Sequence, residues 1–176
     1  MSGTTCTLVI IVNNIIYYGF VGDSLMCLSK VLTQNMDLNT TNDDFILTKP
    51  FHVPSLPKEK IRIYGHRGEV RGGEEIKKKK KDLVPSDSEE EETEQQYQAG
   101  MFDHNRPRVY MRGRYYPGVS VSRSFGDYTA HRIGVSSEPT VGSQAISRQN
   151  EFLVLANRAL WNVLTPKEVF KFIKSH

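Results

Sequence analysis

An antiparallel α+β fold is what this sequence predicts, on three observations. Apolar, β-branched runs crowd its first thirty residues, helical signals come later, and no strand–helix–strand rhythm runs through it. Thr5 to Val12 and Ile15 to Val21 are both rich in Val, Ile and Leu and are separated by Asn13-Asn14. Asparagine tolerates the positive φ of a two-residue turn, so the pair predicts a hairpin. The near-continuous apolar character of the two runs predicts strands covered on both faces, with Cys6 packed inside. Gly22-Asp23-Ser24 makes the next turn, Leu25 to Ser29 a third strand, and Gln34 to Asp44 a polar loop. Pro57 opens a short helix with Ile61 and Tyr64 on one face and Gly65 as its stop. Arg108 to Met111 and Tyr115 to Val121 flank Arg112-Gly113-Arg114 as a second hairpin, and Glu151 to Ala156 reads as a buried strand. The closing helix is the best marked. Thr165 is its N-cap, Pro166 takes the first helical position, Glu168 completes a capping box, and Val169, Phe170 and Ile173 supply the apolar stripe.

Composition narrows the function classes. The chain has 176 residues and 38% hydrophobic content, enough for one domain core. No apolar run reaches the roughly 20 residues of a membrane-spanning helix, so no membrane partner is expected. The start of the chain lacks the pattern of a secretory signal. Two cysteines, Cys6 and Cys27, cannot build a disulfide framework or a four-cysteine zinc site, which fits a reducing, intracellular setting, cytoplasmic or cytoskeletal. Residues 74–94 hold five lysines against nine acids. The lysine run 77–81 therefore sits beside an acidic block that offsets it, which argues against nucleic acid as a partner. The same run also fits a nuclear address. Three regions result: residues 1–70, a charged low-complexity insert at 71–100 read as a mobile loop, and residues 101–176. Ser86 and Ser88, in Ser-Asp-Ser-Glu-Glu-Glu-Glu, are candidate phosphosites within a stretch whose simplest reading is a solvated linker.

Four segments, in order, resemble the metal-dependent serine/threonine protein phosphatases of type 2C. They are Ser2-Gly3-Thr4-Thr5 with the following strand and Val21-Gly22-Asp23-Ser24; Pro57-x-Glu59-x-x-Arg62-Ile63 with Gly68-Glu69-Val70; Tyr116 through Asp127 with its Ser122-Arg123-Ser124-Phe125-Gly126-Asp127 core, then Gly134-Val135 and Glu138-Pro139; and Phe152-Leu153-Val154-Leu155-Ala156 with Leu160-Trp161 and the closing helix. The resemblance implies a two-sheet antiparallel β-sandwich flanked by helices, incomplete here at both ends. It also implies water activated by two bridged Mg²⁺ or Mn²⁺ ions attacking a phosphoserine or phosphothreonine.

The metal-binding residues depart from that pattern. An Ala-Ser-Asp-Gly-x-Trp-Asp motif, with two metal aspartates, is expected after the buried strand. Here it reads Ala156-Asn157-Arg158-Ala159-Leu160-Trp161-Asn162, so Arg158 and Asn162 stand at the two aspartate positions. The Asp-Gly-His-Gly signature would lie upstream of Ser2-Gly3-Thr4-Thr5, and a closing Asp-Asn pair beyond His176. Of the implied ligands the chain keeps Asp23, which the resemblance assigns to a peripheral third metal. A guanidinium about 4 Å from a divalent ion is repelled by roughly 8 kcal/mol at an effective dielectric of 20. The expectation is therefore no dinuclear centre, no cofactor and no catalytic residue.

Other residues receive plainer readings. Asp127 is expected to bond nearby backbone, with Gly22, Ser24, Arg123 and Gly126 as motif positions around it and around Asp23. Phe51 replaces the aspartate of an Asp-His pair. His52, His66, His104, His131 and His176 lack metal-ligand spacing, and Ser122 has no histidine partner to activate it. Arg106, Arg108, Arg112 and Arg114 form a basic cluster that fits phosphate or acidic ligands as well as a solvated hairpin face.

Expected function follows from the departures. The leading expectation is a catalytically inactive phosphatase-like domain, a structural or interaction subunit of a larger assembly. The alternative is a Mg²⁺- or Mn²⁺-dependent phosphatase represented by a partial sequence. A third reading is a phosphopeptide reader that uses Arg158 as its anion-binding group. With family strands and helices missing, Thr5 to Val21 would show apolar surface and open edges. Three explanations stay open: a fragment, a partner chain that supplies the missing layer, or a degenerate domain whose neighbours in an assembly cover the edges.

Overall fold

The computed structural model describes residues 2–29, 46–72 and 106–176. The polar loop at 34–44, Ser86, Ser88, the lysine run and nearly all of the charged insert lie outside the described residues. The chain forms two compact units, one of Met1–Gly3 with His52–Ser136, the other of Thr4–Phe51 with Ser137–His176.

In the second unit, β2 (Cys6–Val12) and β3 (Ile15–Val21) form the expected hairpin, after the short strand β1 (Gly3–Thr4) that opens the chain. Asn13 and Asn14 turn it with φ of 47° and 62°, the doubly positive pair that matches the twist of the flanking strands. Strand β9 (Thr140–Ala145) pairs with the other side of β3, giving an antiparallel sheet in the order β2-β3-β9. Register places Leu8, Ile10 and Val12 opposite Gly19, Tyr17 and Ile15, and Gly19 opposite Val141, all on one face. That face is open: Leu8, Ile10, Val12, Tyr17 and Val141 are 46–74% exposed. Ile16 and Phe20, on the opposite face, are buried. Coverage on both faces, which apolar content predicted, therefore fails for this sheet, and Cys6 is exposed rather than packed. A run of β-branched residues reports strand propensity; what lies against each face depends on polypeptide remote in sequence.

Strand β4 (Leu25–Leu28) is buried along its length and pairs antiparallel with β10 (Leu153–Ala156), Leu25 facing Ala156. Both were expected one or two residues longer. One more backbone bond follows, from the Ser29 N–H to the Phe152 carbonyl at 2.8 Å, and the Ser29 hydroxyl then accepts from the N–H groups of Glu151 (3.1 Å) and Phe152 (2.7 Å). A short helix, Arg158–Trp161, follows β10. The closing helix, Pro166–Ser175, carries its capping box: Thr165 Oγ1 accepts from the Glu168 N–H, and the Glu168 carboxylate accepts from the Thr165 N–H at 2.7 Å. Val169 and Phe170 are buried, Ile173 half-buried.

In the first unit, α1 (Pro57–Gly65) spans the expected residues but buries a different face. Ile61 is 73% exposed and Tyr64 is exposed, whereas Glu59 and Ile63 are buried. Ile63 joins Val70, Val109, Ala130, Ile133 and Val135 in one core. The core lies against β5 (Gly68–Arg71), β6 (Arg108–Met111) and β7 (Pro117–Val119), an antiparallel sheet in that order. Periodicity missed the buried face because one of its members is a carboxylate, admitted to the interior by two arginines. Arg62 binds both Glu59 oxygens at 2.9 and 2.7 Å, and Arg123 Nη2 reaches Oε1 at 2.7 Å. Arg62 also donates to the carbonyls of Gly134 and Ser122, each at 2.8 Å.

His52 is buried in the same unit, and its carbonyl accepts from the Ser122 N–H at 2.9 Å. Burial pushes its imidazole down to about 4, with Arg123 and Arg62 acting in the same direction and Glu59 opposing them. An unfolded histidine titrates near 6.5, so between pH 6.5 and 4 the unfolded chain binds a proton that the folded chain refuses. Stability is expected to be flat in this term above pH 6.5 and to fall by up to ~3 kcal/mol as pH drops to 4. Urea unfolding at pH 7 and 4.5 checks this: His52→Gln should lose less on acidification than the native chain, and equal losses would remove His52 as the cause.

Candidate functional site

The site of interest in the second unit is assembled by strand pairing. Because β4 and β10 run antiparallel with Leu25 opposite Ala156, the turn that precedes β4 and the segment that follows β10 come to the same end of the ladder. That juxtaposition brings Asp23 beside Arg158, which are 135 residues apart.

The Gly22-Asp23-Ser24 turn is held from both sides. Gly22 has φ +107°, and a Cβ there would lie 2.2 Å from Thr5 Cγ2, so both conformation and space demand glycine. Ser24 Oγ lies 3.1 Å from Thr5 Oγ1. On the other side, Asn157 caps the Arg158–Trp161 helix by accepting from the Ala159 N–H at 3.0 Å. The buried Trp161 donates from Nε1 to the Ala156 carbonyl at 3.0 Å, tying the helix back to β10.

Between these supports lies an ion pair. Arg158 Nη1 donates to Asp23 Oδ2 at 2.8 Å, and its Nε donates to Asn162 Oδ1 at 3.0 Å. Asp23 is 6% exposed. Burial raises its carboxyl above the usual range and the Arg158 charge opposes the rise. One guanidinium thus bonds both remaining oxygen-bearing side chains of the expected metal region.

These residues do not fit a divalent cation. The carboxylate that could donate is already bonded to a fixed positive charge, and the amide at position 162 faces the same guanidinium. Among the described residues, no group of three or more His, Cys, Asp and Glu side chains gathers as a metal would need.

The other motif residues belong to the first unit. Arg123 is taken up by Glu59. Gly126 has φ +73°, and a Cβ there would lie 2.5 Å from the Ser2 carbonyl oxygen. Asp127, with φ 43°, donates its N–H to that oxygen at 2.9 Å and accepts from Ser124 Oγ at 2.9 Å, so its contacts hold a turn. Asp23, Arg158 and Asn162 stand out in the sequence, but not the two bonds that Arg158 makes to the others, and Glu59 and Arg62 stand in a family motif that does not reveal their network. The Pro57-x-Glu59-x-x-Arg62 spacing was the available signal, since positions three apart on a helix are neighbours.

The protein phosphatase 2C family profile matches residues 1–176. The chain belongs to the protein phosphatase 2C family. Members of this family ordinarily depend on Mg²⁺ or Mn²⁺. The chain is similar to probable protein phosphatase 2C 73 of Arabidopsis thaliana, 28% identical over 174 residues that make up 99% of this chain and 38% of that protein. Over 68 residues, 39% of this chain and 18% of the relative, it is 40% identical to probable protein phosphatase 2C 65 of the same plant. Among solved structures, serine-threonine phosphatase 2C from Toxoplasma gondii superposes with a TM-score of 0.66 at 22% identity, over 96% of this chain and 45% of that one. A C. elegans sex determining protein superposes at 0.61 and 18% identity, over 98% of this chain and 31% of the other. The protein phosphatase 2C chain described here therefore has the α+β fold of that family, as expected, and spans less than half the length of these relatives. None of its helices among the described residues is long and apolar enough to cross a membrane.

Proposed function

We propose that this protein phosphatase 2C chain is a catalytically silent member of its family, a pseudophosphatase that acts through protein–protein contacts within a larger intracellular assembly. The observation that carries the reading is the Arg158–Asp23 pair at 2.8 Å. The guanidinium stands where the resemblance places a metal aspartate and consumes the neighbouring carboxylate, so cation binding would first have to break a buried ion pair. The scaffold half of the proposal is supported by the open apolar face of the β2-β3-β9 sheet. Further polypeptide of aliphatic character would cover Leu8, Ile10 and Val141 and remove this surface from water.

A second reading is that the chain is one part of a Mg²⁺- or Mn²⁺-dependent serine/threonine phosphatase. What favours it is that the chain spans 38% of its Arabidopsis relative. The third reading, with Arg158 as a phosphopeptide anchor, is disfavoured by the two bonds that Arg158 makes to Asp23 and Asn162.

Manganese titration of the 176-residue chain by calorimetry tests the proposal, alongside the Arg158→Asp/Asn162→Asp double variant. The native chain is expected to give no saturable binding, and the double variant, whose two new carboxylates make three with Asp23, is expected to gain it. Saturable binding by the native chain, together with phosphate release from a phosphoserine peptide, would overturn the silent reading. For the scaffold half, self-association that falls when Leu8 and Ile10 become serine is expected. A monodisperse, cooperatively folded native monomer would count against it.

A further inference from the structure

We propose that two copies of this chain pair along the free edge of β2, antiparallel and about a two-fold axis at Val9, so that two β2-β3-β9 sheets become one. The inference rests on the scaffold half of the proposed function and names the partner and the contact. β2 stands at one end of its sheet, and among the described residues its backbone pairs with β3 alone. Hairpin geometry says which groups are left over. A two-residue turn closes on a hydrogen-bonded pair, here Val12 with Ile15. Antiparallel pairs alternate, so Ile10, Leu8 and Cys6 also bond β3, while the N–H and C=O groups of Ile11, Val9 and Thr7 point away from it. A second bond fixes the same alternation: the Asn14 carbonyl accepts from the Ile146 N–H at 2.8 Å, which turns even-numbered residues toward β9 and leaves Ile15, Tyr17 and Gly19 facing β2.

Exposure singles out this edge, and not the open face alone. Leu8, Ile10 and Val12 lie on the open face, but Ile11 projects from the opposite one and is still 55% exposed, while Ile16 beside it is 1% exposed. The opposite face is therefore covered over β3 and uncovered over β2, so what would cover Ile11 lies beside the strand. A neighbouring strand covers side chains on both faces and takes up the outward backbone groups at once. A helix laid on the open face would leave Ile11 and those groups in water.

The composition of the strand selects its own twin. Cys6–Val12 has no charged residue, no proline and no shift in its register with β3, so it lacks the devices by which edge strands avoid one another. It carries no charge that would favour a complementary foreign strand and none that would repel an identical one. Antiparallel pairing centred on Val9 sets Thr7 against Ile11 of the second copy and Val9 against Val9, which uses every outward group. Leu8 then meets Ile10 of the second copy, aliphatic against aliphatic. A register shifted by two residues leaves some of these groups unmatched. Three such pairs exchange about six backbone bonds, which at one per roughly 100–200 Å² corresponds to ~600–1,200 Å² of interface, the size of a reversible contact. The sheet's other edge, β9, is Thr-Val-Gly-Ser-Gln-Ala, mostly small and polar, so the pairing closes as a dimer.

Sedimentation equilibrium of the 176-residue chain tests the contact. A monomer–dimer equilibrium is expected, and Val9→Pro is expected to weaken it ~tenfold or more, because each dimer loses its two central backbone bonds. That proline removes an N–H aimed away from β3 and so spares the hairpin ladder. Val141→Ser, on the strand beyond β3, should change the equilibrium little. If Val9→Pro fails to fold, cross-linking carries the test, in a Cys6→Ser background that removes the exposed native thiol. Positions 8 and 10 of opposite copies would form a non-hydrogen-bonded pair with Cα atoms about 4.5 Å apart, within disulfide reach, whereas like positions lie diagonally at ~7–8 Å. Mixed Leu8→Cys and Ile10→Cys chains are therefore expected to cross-link under diamide far more than either alone. A native chain that stays monomeric overturns this inference together with the scaffold reading. Association that survives Val9→Pro but falls with Val141→Ser, or cross-linking no greater in the mixture, overturns edge pairing and leaves the scaffold reading standing. Assemblies that grow beyond the dimer overturn the two-fold arrangement.

Discussion

Glu59→Ala is expected to destabilise the first unit by about 3–5 kcal/mol, the cost of leaving buried charge without its partner. The carboxylate is 3% exposed and takes bonds from two guanidiniums, so its removal leaves Arg62 and Arg123 repelling each other with no anion between them. Glu59→Gln should cost less, since one acceptor oxygen remains. Urea unfolding followed by far-ultraviolet circular dichroism reads the difference, and a loss below 1 kcal/mol for the alanine variant would contradict this account of the network. Burial alone would raise the Glu59 carboxyl, but bonds from Arg123 and Arg62 overcome it and hold the group down at about 2. A depressed carboxyl stabilises the fold above its unfolded value near 4.3, and that contribution is lost as pH falls toward 2. Acid therefore acts on this unit twice, through His52 first and Glu59 below it.

Arg158→Ala is expected to cost the second unit on the order of 3 kcal/mol at neutral pH, because Asp23 would stay buried without its counter-ion. The loss carries a pH signature. A carboxyl raised by burial can take a proton, and once neutral it no longer needs the guanidinium. The gap between native and variant stability should narrow from pH 7 toward pH 4. A gap that stays constant would mean that the packing of the arginine stem, rather than its charge, accounts for the effect.

Local chemistry made the hairpin and the final helix legible. Asn13-Asn14 can turn only in a few ways, and Thr165, Pro166 and Glu168 each satisfy or remove a helix-end donor, so neighbouring residues suffice to place these elements. The buried face of α1 was illegible for the opposite reason. Its hydrophilic member, Glu59, is stabilised by Arg123, which lies 64 residues away. The site around position 158 divides along the same line. The resemblance sets Arg158 and Asn162 at the two aspartate positions of the motif Ala156 to Asn162, while the bond from Arg158 to Asp23 depends on a strand register that no local pattern encodes. Apolar content pointed to cover on both faces of this sheet and was wrong there, because β-branched runs announce strands and do not say what lies over them.

Arginine at position 158 has a consequence for how this corner of the fold responds to its surroundings. A metal ion can be stripped by a chelator, starved by diet or exchanged for a rival ion, and a centre built on one inherits those fluctuations. A covalently attached guanidinium that keeps its charge across the physiological pH range does none of these things. The turn around Asp23 is locked by a charge that the genome supplies, so its shape should be indifferent to how much divalent ion the cell holds.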